Sequence, residues 1–314
     1  MKPGRMFLAI IALLLLPQPG RAWDAEGHRI VALIADHVLE AKDAAVRGKV
    51  RDMLAADKGN DLTKTDIASE ATWADALREK SPEARSATSE WHYVRLDFEH
   101  PDLVKDCFGR TALPEGYPAS HGPRNNCSVD KVEQFAKELR DPDTSPEERL
   151  AALRFVLNLI GDMHQPLYAI DRKDMNDNCI ALQLPRGKTP VRLSAYWDDI
   201  LVAEAAGGKD PQKAAAQIIA GLTPDDVAKW SSGTAAEWAQ ESYAVAKAVA
   251  YAFPATPAEG KYTFPARKDE KDSCGPVTVY RADAEYQTRA VATAKTQLAK
   301  AGVRLAALLR DSLR

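Results

Sequence analysis

Beyond residue 22 the chain has no apolar run long enough to cross a bilayer, no CxxC pair and no low-complexity linker. It also has no internal repeat with a period of about 20–50 residues. Each absence removes a class of protein: a transmembrane helix, a thioredoxin-like redox motif or thiolate zinc site, and a solenoid or propeller. An excess of one charge is missing too. Lys and Arg total 42 against 45 Asp and Glu, a net charge of −3. No global basic field therefore draws the chain to nucleic acid or anionic membranes, and a phosphate-bearing substrate must be held by local cations or metals. Hydrophobic residues are 45% of 314, enough to build one large core.

What is present begins with a leader-like segment. Lys2 and Arg5 are a positive start, Phe7 to Leu16 an apolar core, and Gly20-Arg21-Ala22 a small-x-small cleavage site. Residues 1–22 are expected to be a signal peptide, leaving a mature domain 23–314, a new N-terminus at Trp23, and a secreted or periplasmic protein. The cysteines are Cys107, Cys127, Cys179 and Cys274. An even count in an exported chain points to two disulfides. Three pairings are possible; Cys107–Cys127 with Cys179–Cys274 is favoured, because the first closes a Gly/Pro/Asn-rich loop.

The periodicity is mostly helical. Ile30, Val31, Ile34 and Val38 share one face, and a second helix is expected within 40–63. Asp75 and Arg78 lie three apart on a predicted helix and share a face. Residues 90–97 lean towards an extended segment, and residues 98–127 form a long loop with an Asn126-Cys127-Ser128 sequon. Ser145, Pro146 and Glu148 mark a helix start with a capping box. Further helices are predicted at 212–221, 234–253 and about 284–313.

The stretch GDMHQPL, residues 161–167, ends the apolar helix that Pro146 begins. Asp162 closes that helix, and a carboxylate there needs a cation partner if buried. Asn158, four residues earlier, projects from the same face.

Trp23 with His28 five residues on, then Trp73-Ala74-Asp75 with Arg78, Trp91-His92-Tyr93, GDMHQPL, an irregular segment and Trp197-Asp198 make an ordered set. The set resembles the S1/P1 nuclease family, whose fold is shared with zinc-dependent phospholipase C. The resemblance covers essentially all of residues 23–314 and implies an all-α, single compact helical domain with a few short extended segments and long stapled loops. It also implies a monomeric, zinc-dependent endonuclease or phosphoric ester hydrolase with up to three zinc ions, acting on single-stranded nucleic acid or 3′-nucleotides.

By that resemblance the Trp23 amine and carbonyl, His28 and Asp162 hold one zinc. Asp75 and His92 hold a second with Asp162 bridging, and Asp198 belongs to a third. Arg78 faces the phosphate, so Asp75, Arg78 and Asp162 are the catalytic set. Tyr93 stacks on a base, and Arg95 stands where the family often carries a base-reading acid. Trp197-Asp198 favours the nuclease branch over the phospholipase branch, which carries glutamate there.

Three histidines of the pattern are replaced, by Asn158, Tyr168 and Ser194. One or two zinc ions are therefore expected, or a harder divalent ion on an oxygen-rich site. His164 and Asp199 are candidate compensating ligands, and Asn176-Asp177 replaces a Gly-Gly pair. The losses leave two outcomes: a hydrolase with a weakened or altered cluster, or a non-catalytic relative that uses its cleft for binding.

Overall fold

Asp24 accepts the Gly27 amide at 3.0 Å and starts the first helix, Ala25–Lys42. The structure, a computed structural model, describes residues 23–174, 178–208, 210–265 and 274–314. The expected leader 1–22 and the Asn176-Asp177 pair lie outside the described residues. The architecture is all-α, built around the first helix and the last, Ala284–Leu313. They cross so closely that a Cβ at Gly302 would come within 2.5 Å of the Ile34 Cβ. Glycine is therefore required at the crossing.

A second layer is the pair Ser128–Arg140 and Pro146–Met163. The second of these is fully buried along its last two turns, from Val156 to Met163. Its start follows the sequence in part: Ser145 Oγ accepts the Glu148 amide at 3.2 Å, and Pro146 takes the first position. The capping box is not completed, because Glu148 accepts instead from Ser120 Oγ of the long loop at 2.5 Å. No helix among the described residues is long and apolar enough to cross a membrane.

Two local expectations are corrected. Residues 90–97 are mainly a 3₁₀ turn, Ser89–His92, with only Leu96–Asp97 extended and paired in parallel with Ile170–Asp171. The helix expected over 234–253 runs as Ala235–Val245 and continues as a wider π turn, Ala246–Ala250. A four-stranded sheet was not anticipated; its order is Val191–Arg192, Ala181–Gln183, Pro276–Arg281, Pro257–Thr263. Val277-Thr278-Val279-Tyr280 carries the β-branched and aromatic pattern of a strand, but the alanine-rich helices on either side dominate the periodicity of this region.

Both favoured disulfides are formed, Cys107–Cys127 and Cys179–Cys274. The second precedes the parallel pair Ala181 and Val279 and clamps its register across a sequence separation of 95 residues. Replacing Cys179 and Cys274 together by serine is expected to lower unfolding free energy by about 2–4 kcal/mol. An unchanged denaturation midpoint at constant m-value would contradict this. Asn126 is buried, so the sequon of the long loop does not offer an accessible acceptor amide.

Candidate functional site

The last turn of Pro146–Met163 carries Asp162 to the centre of the molecule, with no solvent exposure. His92, ending the Ser89–His92 turn, places Nδ1 2.7 Å from Asp162 Oδ2. His28, from the first turn of the opening helix, places Nε2 3.4 Å from Asp162 Oδ1 and 3.6 Å from Asp75 Oδ2. Asp75 comes from the Trp73–Lys80 helix, and Arg78 one turn on places Nη1 3.4 Å from Asp75 Oδ1. That helix is held to Pro146–Met163 by Arg154. Its Nε and Nη2 donate to Glu70 at 2.8 and 3.1 Å, and its guanidinium lies 4.8 Å over the Trp73 ring.

Four of the residues predicted from sequence thus meet around one point: His28, Asp75, His92 and Asp162. Trp23 is fully buried, packed against Gly27, the residue before His28. The next amide, Asp24 N–H, donates to the Asp198 carbonyl at 2.7 Å, which sets the chain start beside the Tyr196–Ile200 π turn that carries Asp198. Such a widened turn locally re-aims side chains.

Burial, then the Asp75 charge, raise the Asp162 carboxyl well above the usual range. Burial, then the Arg78 charge, push the His92 imidazole well below its usual value. With these shifts Asp162 keeps its proton and His92 stays neutral until a cation enters, when the carboxylate would ionise and release that proton.

His92 Nε2, Asp162 Oδ1 and Asn158 Oδ1 are buried and have no hydrogen-bond partner among the described residues. Buried polar atoms without partners are costly, and a divalent ion would satisfy acceptors of this kind. The residues around Asp162 therefore fit a metal, although not as a preformed cage. Among the described residues, the one trio of His, Cys, Asp or Glu ligand atoms within 4.8 Å of each other is Cys107, Cys127 and Asp130, whose sulfurs form a disulfide.

Of the Asn158 amide, only Oδ1 is left to face a cation. Its Nδ2 donates to the Ala71 carbonyl at 3.0 Å and to Asp75 Oδ2 at 3.0 Å. Both partners are acceptors, so the amide nitrogen must face them, and Asn158 braces Asp75.

The third position does not fit a metal. Tyr168 is buried; burial first, and then Tyr93, Asp198 and Asp162, keep its phenol protonated. Ser194 Oγ donates to Asn178 Oδ1 at 3.0 Å. Asp198 Oδ1 accepts from Gln165 Nε2 at 2.5 Å, while Gln165 Oε1 takes the Leu167 amide at 2.6 Å. A phenol and an amide thus occupy the space beside Asp198.

His164 is excluded as a compensating ligand. Its Nδ1 lies 2.7 Å from the Ile160 carbonyl and its Nε2 2.9 Å from Arg304 Nη1. Burial, then the Arg304 charge, lower its pKa to about 3, so it stays neutral at ordinary pH. Asp199 lies near Asp24, whose carboxyl is raised to about 8, mainly by burial.

Tyr93 and Arg95 are half-buried. Tyr93 stacks on Tyr168 with centroids 4.3 Å apart at 30°, and the Arg95 guanidinium lies 4.1 Å over the Tyr93 centroid. Two groups that close to a centroid cannot share one face without overlap, so both faces of Tyr93 are covered. A base reaches this ring only if Arg95 or Tyr168 moves.

Two residues escaped the sequence reading. Gln165 ties the end of the Asp162 helix to Asp198. Gly161 makes room for His28, because a Cβ there would meet His28 Nδ1 at 2.7 Å. Both lie in GDMHQPL, and that run was the available signal.

A family model described as S1/P1 Nuclease matches residues 23–314. Over 228 residues the chain is 26% identical to Endonuclease 1 of Arabidopsis thaliana, covering 67% of this chain and 66% of that protein. It is 27% identical to Nuclease S1 of Aspergillus oryzae, covering 63% of this chain and 60% of that protein. It is 29% identical to Nuclease P1 of Penicillium citrinum, covering 46% and 47%. The matches span less than two thirds of each relative's length.

Proposed function

Because the chain belongs to the S1/P1 nuclease family, we propose that it is an exported, metal-dependent phosphodiesterase acting on single-stranded nucleic acid or 3′-nucleotides with a reduced metal cluster of one or two ions. The observation that carries this reading is the pair of buried atoms without a hydrogen-bond partner, His92 Nε2 and Asp162 Oδ1, beside His28 and Asp75. Trp23, His28 and Asp162 would hold one ion, and Asp75, His92 and Asp162 a second. The chemistry such an ion supplies when bound is Lewis-acid polarisation of a phosphate ester.

The chain's own groups do the rest. Arg78, with its side chain 17% exposed, offers a guanidinium to the phosphate. Asn158 and Arg78 hold Asp75 in place, and the buried walls exclude water from the carboxylates. The start of the mature chain at Trp23 has a physical reason, because only cleavage creates an α-amine able to ligate. The two disulfides support an exported protein.

A second reading, a non-catalytic binding module, is favoured by one observation: Tyr168 fills the third position and covers a face of Tyr93. The test measures metal content and single-stranded DNA cleavage on one sample of the chain beginning at Trp23. One or two ions per chain, with cleavage abolished by chelator, is the expected result. One extra residue before Trp23 should reduce the metal content. Metal without cleavage, with cleavage appearing only in the Asn158→His, Tyr168→His, Ser194→His triple variant, would establish the binding module instead.

A further inference from the structure

Two guanidinium groups border the Tyr93–Tyr168 ring pair, and they are built alike. Arg78 engages Asp75 through Nη1, its Nε is buried without a hydrogen-bond partner, and it lies within electrostatic reach of the Tyr93 and Tyr168 hydroxyls. Arg95 engages Glu90 Oε2 through Nη1, its Nε is also buried without a hydrogen-bond partner, and its guanidinium carbon lies 4.1 Å over the Tyr93 ring centre. Its side chain is 26% exposed, so a ligand can reach it. Glu90 is shared with Arg124, whose Nη2 is 3.9 Å from Oε1, so this carboxylate does not neutralise Arg95 alone.

A buried guanidinium N–H without an acceptor is expensive. The group that best satisfies a guanidinium edge is a pair of anionic oxygens, which it takes in a forked, charge-assisted geometry. Arg78 already serves a phosphate in the function proposed above. With both faces of Tyr93 closed, a stacked base is not what Arg95 meets.

We propose that Arg95 is a specificity-determining residue that binds a second phosphate of the substrate, next to the one at Arg78. Resting on the nuclease reading, this makes the preferred substrate a strand or ester carrying two neighbouring phosphates. Tyr93 then serves as the rigid support that holds the Arg95 fork, in place of a base platform.

The test uses the metal-loaded chain from Trp23 and a phosphorothioate oligothymidine trimer. It is compared with the same trimer bearing a neutral methylphosphonate at one linkage or the other, with dissociation constants from calorimetry. The fully charged trimer should bind at least about tenfold tighter than the better of the two singly neutral trimers, the scale of one charged hydrogen-bonded contact. Arg95→Gln should collapse that ratio to within about twofold, and Arg95→Lys should retain part of it, since the charge remains and the fork is lost.

Equal binding of all three trimers, or a ratio that survives Arg95→Gln in a protein with unchanged melting temperature, overturns the assignment. So does restoration of tight binding to the neutral trimers by guanine in place of thymine in the wild type alone, which would make Arg95 a base reader. Cleavage of single-stranded DNA by the same sample separates the two claims. Charge-dependent binding without cleavage sinks the nuclease reading and leaves the Arg95 assignment standing; cleavage without charge dependence does the reverse.

Discussion

Asp162→Asn is expected to abolish the metal-dependent part of both stability and activity while leaving the metal-free fold intact. Asp162 has no solvent exposure, one oxygen 2.7 Å from His92 Nδ1 and the other without a hydrogen-bond partner. Asparagine has the same shape and can keep a hydrogen bond to His92, but it brings no charge to a cation. A ligand that binds only the folded state stabilises it by about 4 kcal/mol at a thousand times its dissociation constant, and that increment should vanish. Lewis-acid polarisation of a phosphate is worth several kcal/mol, so cleavage should fall by about a thousandfold or more. Melting temperatures with and without zinc, with cleavage rates on the same samples, check both parts. A variant whose melting temperature still rises with zinc as the wild type's does would remove Asp162 from the metal site.

Gly161→Ala should be nearly as damaging, although it alters no ligand. The added methyl would stand 2.7 Å from His28 Nδ1 and 3.0 Å from Cε1. His28 is itself completely buried between Asp75 and Asp162, and the glycine is fixed in a helix. Overpacking of this kind costs about 1–3 kcal/mol. Displacing the His28 ring, a proposed ligand, should also weaken metal binding by at least the ten- to hundredfold, roughly, that follows loss of outer partners of a ligand. Calorimetric metal titration alongside urea unfolding checks it. A variant with wild-type metal affinity would show that His28 has room to retreat and is not a ligand.

Much of this was readable in the chain because the signals are local. The helix through Asp162 announces itself by its apolar stripe, Ser145 and Pro146, and Asp75 with Arg78 by a spacing of three. Other features were not readable because they depend on neighbours far along the chain. His164 looked available, yet its ring is claimed by the Ile160 carbonyl and Arg304, 140 residues away. Glu148 looked like half of a capping box, yet it bonds Ser120 across the loop.

The sequence by itself determined the all-α class and the residue types able to meet a metal, since periodicity, cap chemistry and donor identity belong to each residue and its near neighbours; it favoured one cysteine pairing of three without deciding it. Only the tertiary structure decided what the three replacements do. Asn158 turns its amide nitrogen to Ala71 and Asp75, Tyr168 stacks on Tyr93, and Ser194 bonds Asn178. Whether a lost histidine leaves a vacancy or is covered depends on which side chains from distant segments close on the same space, and close packing settles that only once the chain is folded.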